Sequence, residues 1–87
     1  MSKKYKVLLK DSVQKQLVKL PAIYAKKIRD TIFSLEDEPR PFGAIKLKGS
    51  TGKFRIRVGV YRIVYEVLDD VLIVYIFDVD HRKDIYR

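Results

Sequence analysis

Three arginines in neighbouring segments are the residues of this chain best suited to chemistry. Arg55 and Arg57 alternate with apolar residues, and Arg62 follows in the next segment. Because successive side chains of a strand point to opposite faces, Arg55 and Arg57 are expected on the face away from the apolar residues. Pairing of the two segments brings Arg62 to within about 4.5–5.5 Å of that pair. Like charges this close repel unless an anion lies between them, so the pattern predicts a phosphate site. The alternative is a solvated basic face that pairs in part with Glu66 or Asp69.

A second group of reactive side chains follows the last apolar segment. His81, Arg82 and Tyr86 supply an imidazole, a guanidinium and a phenol. Histidine is the usual proton shuttle near neutral pH, and stacking of a base on an aromatic ring contributes about 1–3 kcal/mol. The alternatives are a surface histidine and a tyrosine that covers the core.

Other site chemistries are not favoured by the sequence. Asp78, Asp80, His81 and Asp84 are of metal-ligand type, but the neighbouring arginines and lysine repel a cation, so no metal is expected. Two glycines before Lys53 lack the spacing of a phosphate-binding loop, and no serine lies in a Gly-x-Ser-x-Gly context. The absence of cysteine excludes a thiolate nucleophile. No cofactor is predicted.

The length and net charge of the chain limit the classes of protein to which it can belong. The 87 residues are enough for one domain, 1–87, and 19 Lys and Arg against 11 Asp and Glu give a net charge of +8. Such an excess favours a polyanionic partner, which is a nucleic acid, an anionic membrane or an acidic protein. No segment approaches the roughly 20 apolar residues that span a bilayer, and the N-terminus does not resemble a signal peptide. We therefore expect a cytoplasmic protein without a membrane partner.

The spacing of apolar residues predicts the elements that must position these side chains. Strands are predicted at residues 5–9, 53–58, 60–68 and 71–79, with helices from residue 11 or 12 to 20 and from 22 to 36. The predicted fold is α+β with the order β-α-α-β-β-β, in which a helical hairpin packs on one face of a small, mainly antiparallel sheet. The last strand is nearly all apolar, which is typical of a strand covered on both faces. Residues 44–52 are expected to form a basic loop.

The boundaries of these elements carry their own signals. Asp11 or Ser12 is expected to cap the first helix, and Pro21 lies at the first turn of the second. Gly59 supplies a turn or bulge, and residues 69–70 are expected to form a tight turn before the last strand.

Taken together, these segments resemble the RelE family of toxin–antitoxin toxins over essentially the whole chain. Besides the helical hairpin, four motifs carry the resemblance: Ala-Ile-Lys-Leu-Lys-Gly at 44–49, Phe-Arg-Ile-Arg-Val at 54–58, Gly-Val-Tyr-Arg-Ile-Val-Tyr-Glu-Val at 59–67 and His-Arg-Lys-Asp-Ile-Tyr at 81–86. The resemblance implies a metal-independent endoribonuclease, an mRNA interferase, that enters the ribosomal A site, cleaves the mRNA there and so inhibits translation. It also implies a RelB-like antitoxin that wraps the toxin.

The resemblance assigns roles to particular residues. The implied catalytic positions are the basic pair Arg55 and Arg57, the central Arg62, the late Arg82 and the terminal Tyr86. Arg82 is expected to stabilise or protonate the leaving oxygen, and Tyr86 to hold or stack the base. Lys46 and Lys48 match a loop that grips RNA, and Lys53 is grouped with them as an RNA-binding residue.

The basic pair departs from the family pattern. Better-known members carry lysines at both positions, and one of those lysines is cast as the general base. A lysine, with a pKa of about 10.4, can be tuned to accept a proton, whereas arginine, above about 12, cannot. His81 is therefore the leading candidate for a base, followed by Lys53, Lys46 or Lys48, or by a ribosomal or substrate group.

Two other functions remain open from the sequence. The related ParE toxins share the fold and inhibit DNA gyrase by binding, without catalysis. A degenerate toxin that still binds RNA is the other alternative, because loss of the basic lysines would leave occupancy of the A site without cleavage.

Overall fold

A computed structural model describes residues 4–81 of the chain, in which two helices pack on a five-stranded sheet. In chain order the elements are β1 (Lys6–Leu9), α1 (Asp11–Lys19), α2 (Ala22–Ser34), β2 (Ile45–Lys46), β3 (Lys53–Val58), β4 (Tyr61–Leu68) and β5 (Ile73–His81). The predicted α+β class and helical hairpin are confirmed. The short strand β2 is new, because residues 44–52 had been expected to form a loop only. Neither helix of the described residues is long and apolar enough to cross a membrane.

The strand order of the sheet is β1-β5-β4-β3-β2. Strands β2, β3, β4 and β5 each pair antiparallel with the next, and β2 forms one edge of the sheet. The other edge is β1, which runs parallel to β5. The helical hairpin makes this parallel pairing possible, since it carries the chain back across the sheet before the meander begins. The sheet is therefore mixed and mainly antiparallel, as predicted.

The core lies between the helices and one face of the sheet. Ile28 of α2 and Val13 of α1 are fully buried against apolar side chains of β4 and β5. Period two in β3 sends Phe54, Ile56 and Val58 to this same face. We call the other side of the sheet, away from both helices, the open face.

The start of α1 differs from the prediction. The residue at its N-cap is Lys10, and no side chain caps this end. The Lys10 carbonyl accepts hydrogen bonds from the amides of Val13 and Gln14. Asp11 instead lies in the first turn, where a carboxylate interacts favourably with the helix dipole. Neither Asp11 nor Ser12 is therefore the cap.

The two hairpin turns of the meander differ in kind. Gly59 has a φ of 61° and occupies the first position of a two-residue turn between Val58 and Tyr61, which are register partners. Glycine at this position fits a type II′ turn, whose twist matches that of the strands. The turn before β5 is longer than the predicted pair 69–70, since β5 starts only at Ile73. Leu72 there has a φ of 54°, in the left-handed region that non-glycine residues rarely adopt.

A β-bulge in β5 interrupts the alternation of its side chains. Val64 of β4 faces Asp78, whereas the next residue, Tyr65, faces Ile76, so Phe77 is the extra residue. Val79 is buried after the bulge as Ile76 is before it. The prediction that both faces of this strand are covered was wrong, because both helices lie on the same side of it.

Tyr65 ties the core to the segment that follows α2. Its ring is fully buried, and its hydroxyl donates a hydrogen bond of 2.9 Å to the carbonyl oxygen of Pro39. Burial raises the pKa of this phenol to about 12, with a smaller opposing effect of Arg40. Pro39 is itself buried, so the bond fixes the start of the segment that leads into β2.

We expect Tyr65→Phe to lower the free energy of unfolding by about 1–3 kcal/mol, because it leaves the buried Pro39 carbonyl without its donor. Urea denaturation at pH 7 measures this loss. The matched control is Tyr75→Phe on the open face, which is expected to change stability by no more than about 0.5 kcal/mol. An equal loss in both variants would contradict the assigned role of the Tyr65 hydroxyl.

The difference in stability between wild type and Tyr65→Phe should depend on pH. The pKa of Tyr65 is about 12 in the folded state and 10.0 when the side chain is unperturbed, so the unfolded state releases this proton first. Stability that depends on the neutral phenol is present below pH 10 and is lost as pH rises towards 12. The stability difference between wild type and Tyr65→Phe should therefore shrink over this range. A constant difference would show that the phenol titrates alike in both states.

Candidate functional site

The three arginines singled out from the sequence line one pocket on the open face. Arg55, Arg57 and Arg62 surround a shallow cavity of about 100 Å³ together with Gly43 and Ile45. Guanidinium groups that converge on a small concavity can bind the non-bridging oxygens of a phosphodiester through paired N–H donors. The arrangement is therefore chemically suited to an anion.

Strand register accounts for this convergence. Arg57 of β3 lies directly opposite Arg62 of β4, and Arg55 lies opposite Val64. Side chains that face each other across antiparallel strands share a face and lie about 4.5–5.5 Å apart at Cβ. The short turn at Gly59 fixes this register, so the two opposed cations cannot separate along the strands.

The remaining wall of the pocket comes from residues that sequence reasoning missed. Ile45 of β2 lies opposite Arg55, on the open face. Gly43 precedes β2 with a φ of 99°, a conformation that favours glycine. The segment from Pro41 to Gly43 is of a composition that ends a helix, and nothing in it indicates that the chain then returns to the edge of the sheet. The bond from Tyr65 to Pro39 holds this wall in place from within the core.

Within residues 4–81, the carboxylate directly opposite an arginine of the pocket is Asp80 of β5, the register partner of Arg62. Glu66 lies further along β4, opposite Lys53. The alternative in which Asp69 neutralises the arginines is not what the structure has, because Asp69 accepts hydrogen bonds from Tyr5 and Arg40 instead.

A larger cavity lies at the far end of β4. Its volume is about 470 Å³, and Arg40 shares its lining with the three carboxylates Glu66, Asp69 and Asp70. This concentration of negative charge does not favour a phosphate. The small arginine pocket is thus the better candidate for a nucleic-acid contact, although it is the smaller cavity.

His81 lies on the opposite side of the sheet from the arginines. Its register partner is Tyr61, and the two rings meet edge to face with centroids 5.1 Å apart. Tyr61 is only 7% exposed and also contacts Tyr24 of α2. The imidazole therefore belongs to an aromatic row on the helix side, and the structure does not bring it into the arginine pocket.

The predicted RNA-binding lysines do not form one group. Lys53 lies on the open face, with its Nζ 5.0 Å from the centroid of the Phe77 ring. Lys46 is the register partner of the core residue Phe54, so it shares the helix-side face, and Lys48 is exposed between β2 and β3. Arg82 and Tyr86 lie outside the described residues.

Fold and pocket together define the class: a small α+β protein whose open sheet face carries a small concavity lined by three arginines. Residues 7–86 match the family described as ParE toxin of type II toxin–antitoxin system. The chain is 34% identical to a putative toxin RelE1 of Methanocaldococcus jannaschii, over 97% of both chains. It is 36% identical to the toxin RelG of Mycobacterium tuberculosis, over 95% of this chain and 97% of that one.

A solved structure supports the same relationship. The RelE–RelB complex of the archaeon Pyrococcus horikoshii matches with a TM-score of 0.82 and 31% identity, over 91% of this chain and 96% of that one. The chain therefore belongs to the RelE family of type II toxins, within the wider group that also contains ParE.

The opposed arginines should lower the stability of the free protein. We expect Arg57→Gln to raise the free energy of unfolding by about 0.2–1 kcal/mol at low ionic strength, because it removes a like charge opposite Arg62. The gain should disappear in 1 M salt, where the Debye length falls to about 3 Å. Urea denaturation at both salt concentrations measures it.

The control for this effect is Arg29→Gln on the exposed side of α2, which lowers the net charge equally without touching the pocket. If both variants gain the same stability, the effect belongs to the overall charge of +8 and not to the opposed pair.

Proposed function

We propose that this chain is a metal-independent endoribonuclease that cleaves mRNA in the ribosomal A site and so inhibits translation. The observation that carries the proposal is the convergence of Arg55, Arg57 and Arg62 on one pocket of the open face. Membership of the RelE family supports the same function. We place its action in the cytoplasm, where ribosomes translate.

The proposed reaction uses a nucleophile that the substrate already contains. The ribose 2′-OH attacks the adjacent phosphorus and forms a 2′,3′-cyclic phosphate. The bond from phosphorus to the 5′-oxygen of the next nucleotide breaks, and that oxygen takes up a proton from water. The protein must then supply in-line positioning and stabilise the charge that develops on the phosphate. Arg55, Arg57 and Arg62 supply fork-shaped donors for the non-bridging oxygens. No metal ion is needed for these roles.

The proton of the 2′-OH needs an acceptor other than the arginines. His81 faces Tyr61 on the helix side, so its position gives the proposed base no direct path to a phosphate in the pocket. Lys46 lies on that same side. We propose that positioning and charge stabilisation by the arginines supply most of the rate, and that a ribosomal or substrate group takes the proton. Arg82 is proposed to stabilise the leaving oxygen, and Tyr86 to hold the base.

A RelB-like antitoxin is the proposed protein partner. The Pyrococcus horikoshii relative was solved as a complex of RelE with RelB, and this chain shares its fold over most of its length. We propose that such an antitoxin neutralises the chain by wrapping it with an extended helical segment.

Inhibition of DNA gyrase is the second candidate function, because the family model that matches residues 7–86 is described as a ParE toxin. A toxin of this kind acts by binding and leaves mRNA intact. A degenerate toxin that binds RNA without cutting it is the third. Arginine at positions 55 and 57, where lysines are usual, supports it, because this change keeps the charge that binds RNA and removes the base.

We expect Arg62→Ala to reduce the rate of mRNA cleavage on translating ribosomes by about 10²–10³-fold, as for loss of one preorganised charge contact. Primer extension on the message measures new 5′ ends, and expression of the variant should no longer arrest growth. Arg29→Ala on α2 is the matched control and should cleave at the wild-type rate.

The three candidate functions give different results in this assay. New mRNA ends that require Arg62 support the nuclease. Intact message with cleaved DNA would establish gyrase inhibition, and ribosome binding without cleavage would establish the degenerate toxin. If Arg62→Ala cleaves like wild type, the proposed site is wrong.

A further inference from the structure

Two aromatic side chains on the open face take no part in the core. The rings of Tyr75 and Phe77 lie on β5 and meet edge to face, with centroids 4.8 Å apart. Neither belongs to the cluster of core residues or to those packed against it. Phe77 is the bulged residue of β5, and a bulge re-aims a side chain relative to the regular strand. We call these two residues the aromatic pair.

The aromatic pair adjoins the arginine pocket. Phe77 lies next to Asp78, which faces Val64, and Val64 in turn faces Arg55 on its other side. Two strand spacings, about 10 Å, therefore separate the pair from Arg55 across the open face. This distance is within the reach of the nucleotides that adjoin a phosphate bound in the pocket.

The charges around the aromatic pair indicate which part of a ligand it contacts. The Nζ of Lys53 lies 5.0 Å from the centroid of the Phe77 ring, a cation–π contact. Glu66 is the register partner of both Lys53 and Tyr75, so a carboxylate lies beside the rings. A phosphate is repelled by Glu66 and attracted to the arginines, whereas an uncharged base is compatible with the rings.

We propose that Tyr75 and Phe77 form a stacking subsite for a nucleobase of single-stranded RNA whose backbone phosphate is bound by Arg55, Arg57 and Arg62. This inference rests on the proposed function, and it adds a second contact with the same substrate. Stacking of bases on aromatic rings tolerates any base, because every base has a π face. The subsite therefore adds affinity with little preference for sequence.

An apolar protein segment fits this surface less well. Lys53 and Glu66 lie beside the rings, and an apolar partner would bury both charged side chains at a cost in desolvation. A strand of RNA satisfies both parts of the surface, since it offers anionic phosphates and uncharged bases in alternation. The net charge of +8 favours the same ligand.

The test measures binding of a fluorescent hexauridine whose 2′-hydroxyls are methylated, so that it cannot be cleaved, and of the same oligonucleotide without bases. Wild type should bind the hexauridine more tightly than the abasic strand. Phe77→Leu and Tyr75→Leu keep an apolar side chain but remove the ring, and each should weaken hexauridine binding by about 5- to 150-fold, which corresponds to 1–3 kcal/mol per stacked base. Their affinity for the abasic strand should not change.

Two controls separate stacking from other effects. Phe33→Leu removes an aromatic ring that is 54% exposed on α2, and it should leave both affinities at the wild-type value. Arg62→Ala should weaken the hexauridine and the abasic strand alike. Thermal unfolding of each variant shows whether it is folded. Ultraviolet cross-linking of hexauridine to wild type, followed by peptide mapping, tests the contact without any substitution and should label the peptide that contains Tyr75 and Phe77.

The failures of the inference and of the proposed function are distinguishable. If folded Phe77→Leu and Tyr75→Leu bind the hexauridine like wild type while Arg62→Ala does not, the stacking subsite is wrong and the phosphate site stands. In that case the aromatic pair does not contact RNA and is available to a protein partner. If wild type binds both strands equally, or cross-links elsewhere, the inference is also overturned. Failure of the proposed function appears separately, as mRNA that stays intact when wild type is added to translating ribosomes.

Discussion

The pairing of β3 with β4 is the constraint on which the other features of the site depend. Val58 and Tyr61 close a two-residue turn, and every later pair in this ladder follows from that register. A slip of one residue would move the arginines into the core and the apolar residues to the surface, so burial of Phe54 and Ile63 fixes the register strongly. The energy of the core thereby holds together like charges that would otherwise separate.

The bulge in β5 decides on which face of the sheet His81 lies. Counting by twos from buried Ile76 places residues 78 and 80 inside and His81 on the open face with the arginines. The extra residue Phe77 reverses this phase, so that Val79 is buried and His81 stacks on Tyr61. A single inserted residue thus moves the imidazole from the open face to the helix side.

The regular hairpin of β3 and β4 is predictable from the sequence, whereas the edge strand β2 and the bulge in β5 are not. Period two in β3 predicted the shared face of Arg55 and Arg57, because both strands of this hairpin are regular and its turn carries a glycine. The wall at Gly43 and Ile45 was not predictable, since a strand of two residues has too short a pattern and depends on pairing with β3. The side on which His81 lies was not predictable either, because an apolar strand gives no local sign of where a bulge falls.

The choice between nuclease and gyrase inhibitor depends on this open face and not on the fold. RelE and ParE toxins share one architecture, and a shared architecture supports different functions according to the site it carries. A cavity of about 100 Å³ lined by three arginines is small for a protein target and suits a phosphodiester in charge. Arginine at positions where lysine is usual keeps the positive charge and removes a proton acceptor, so the proposed reaction depends on charge and positioning more than on a base from the chain.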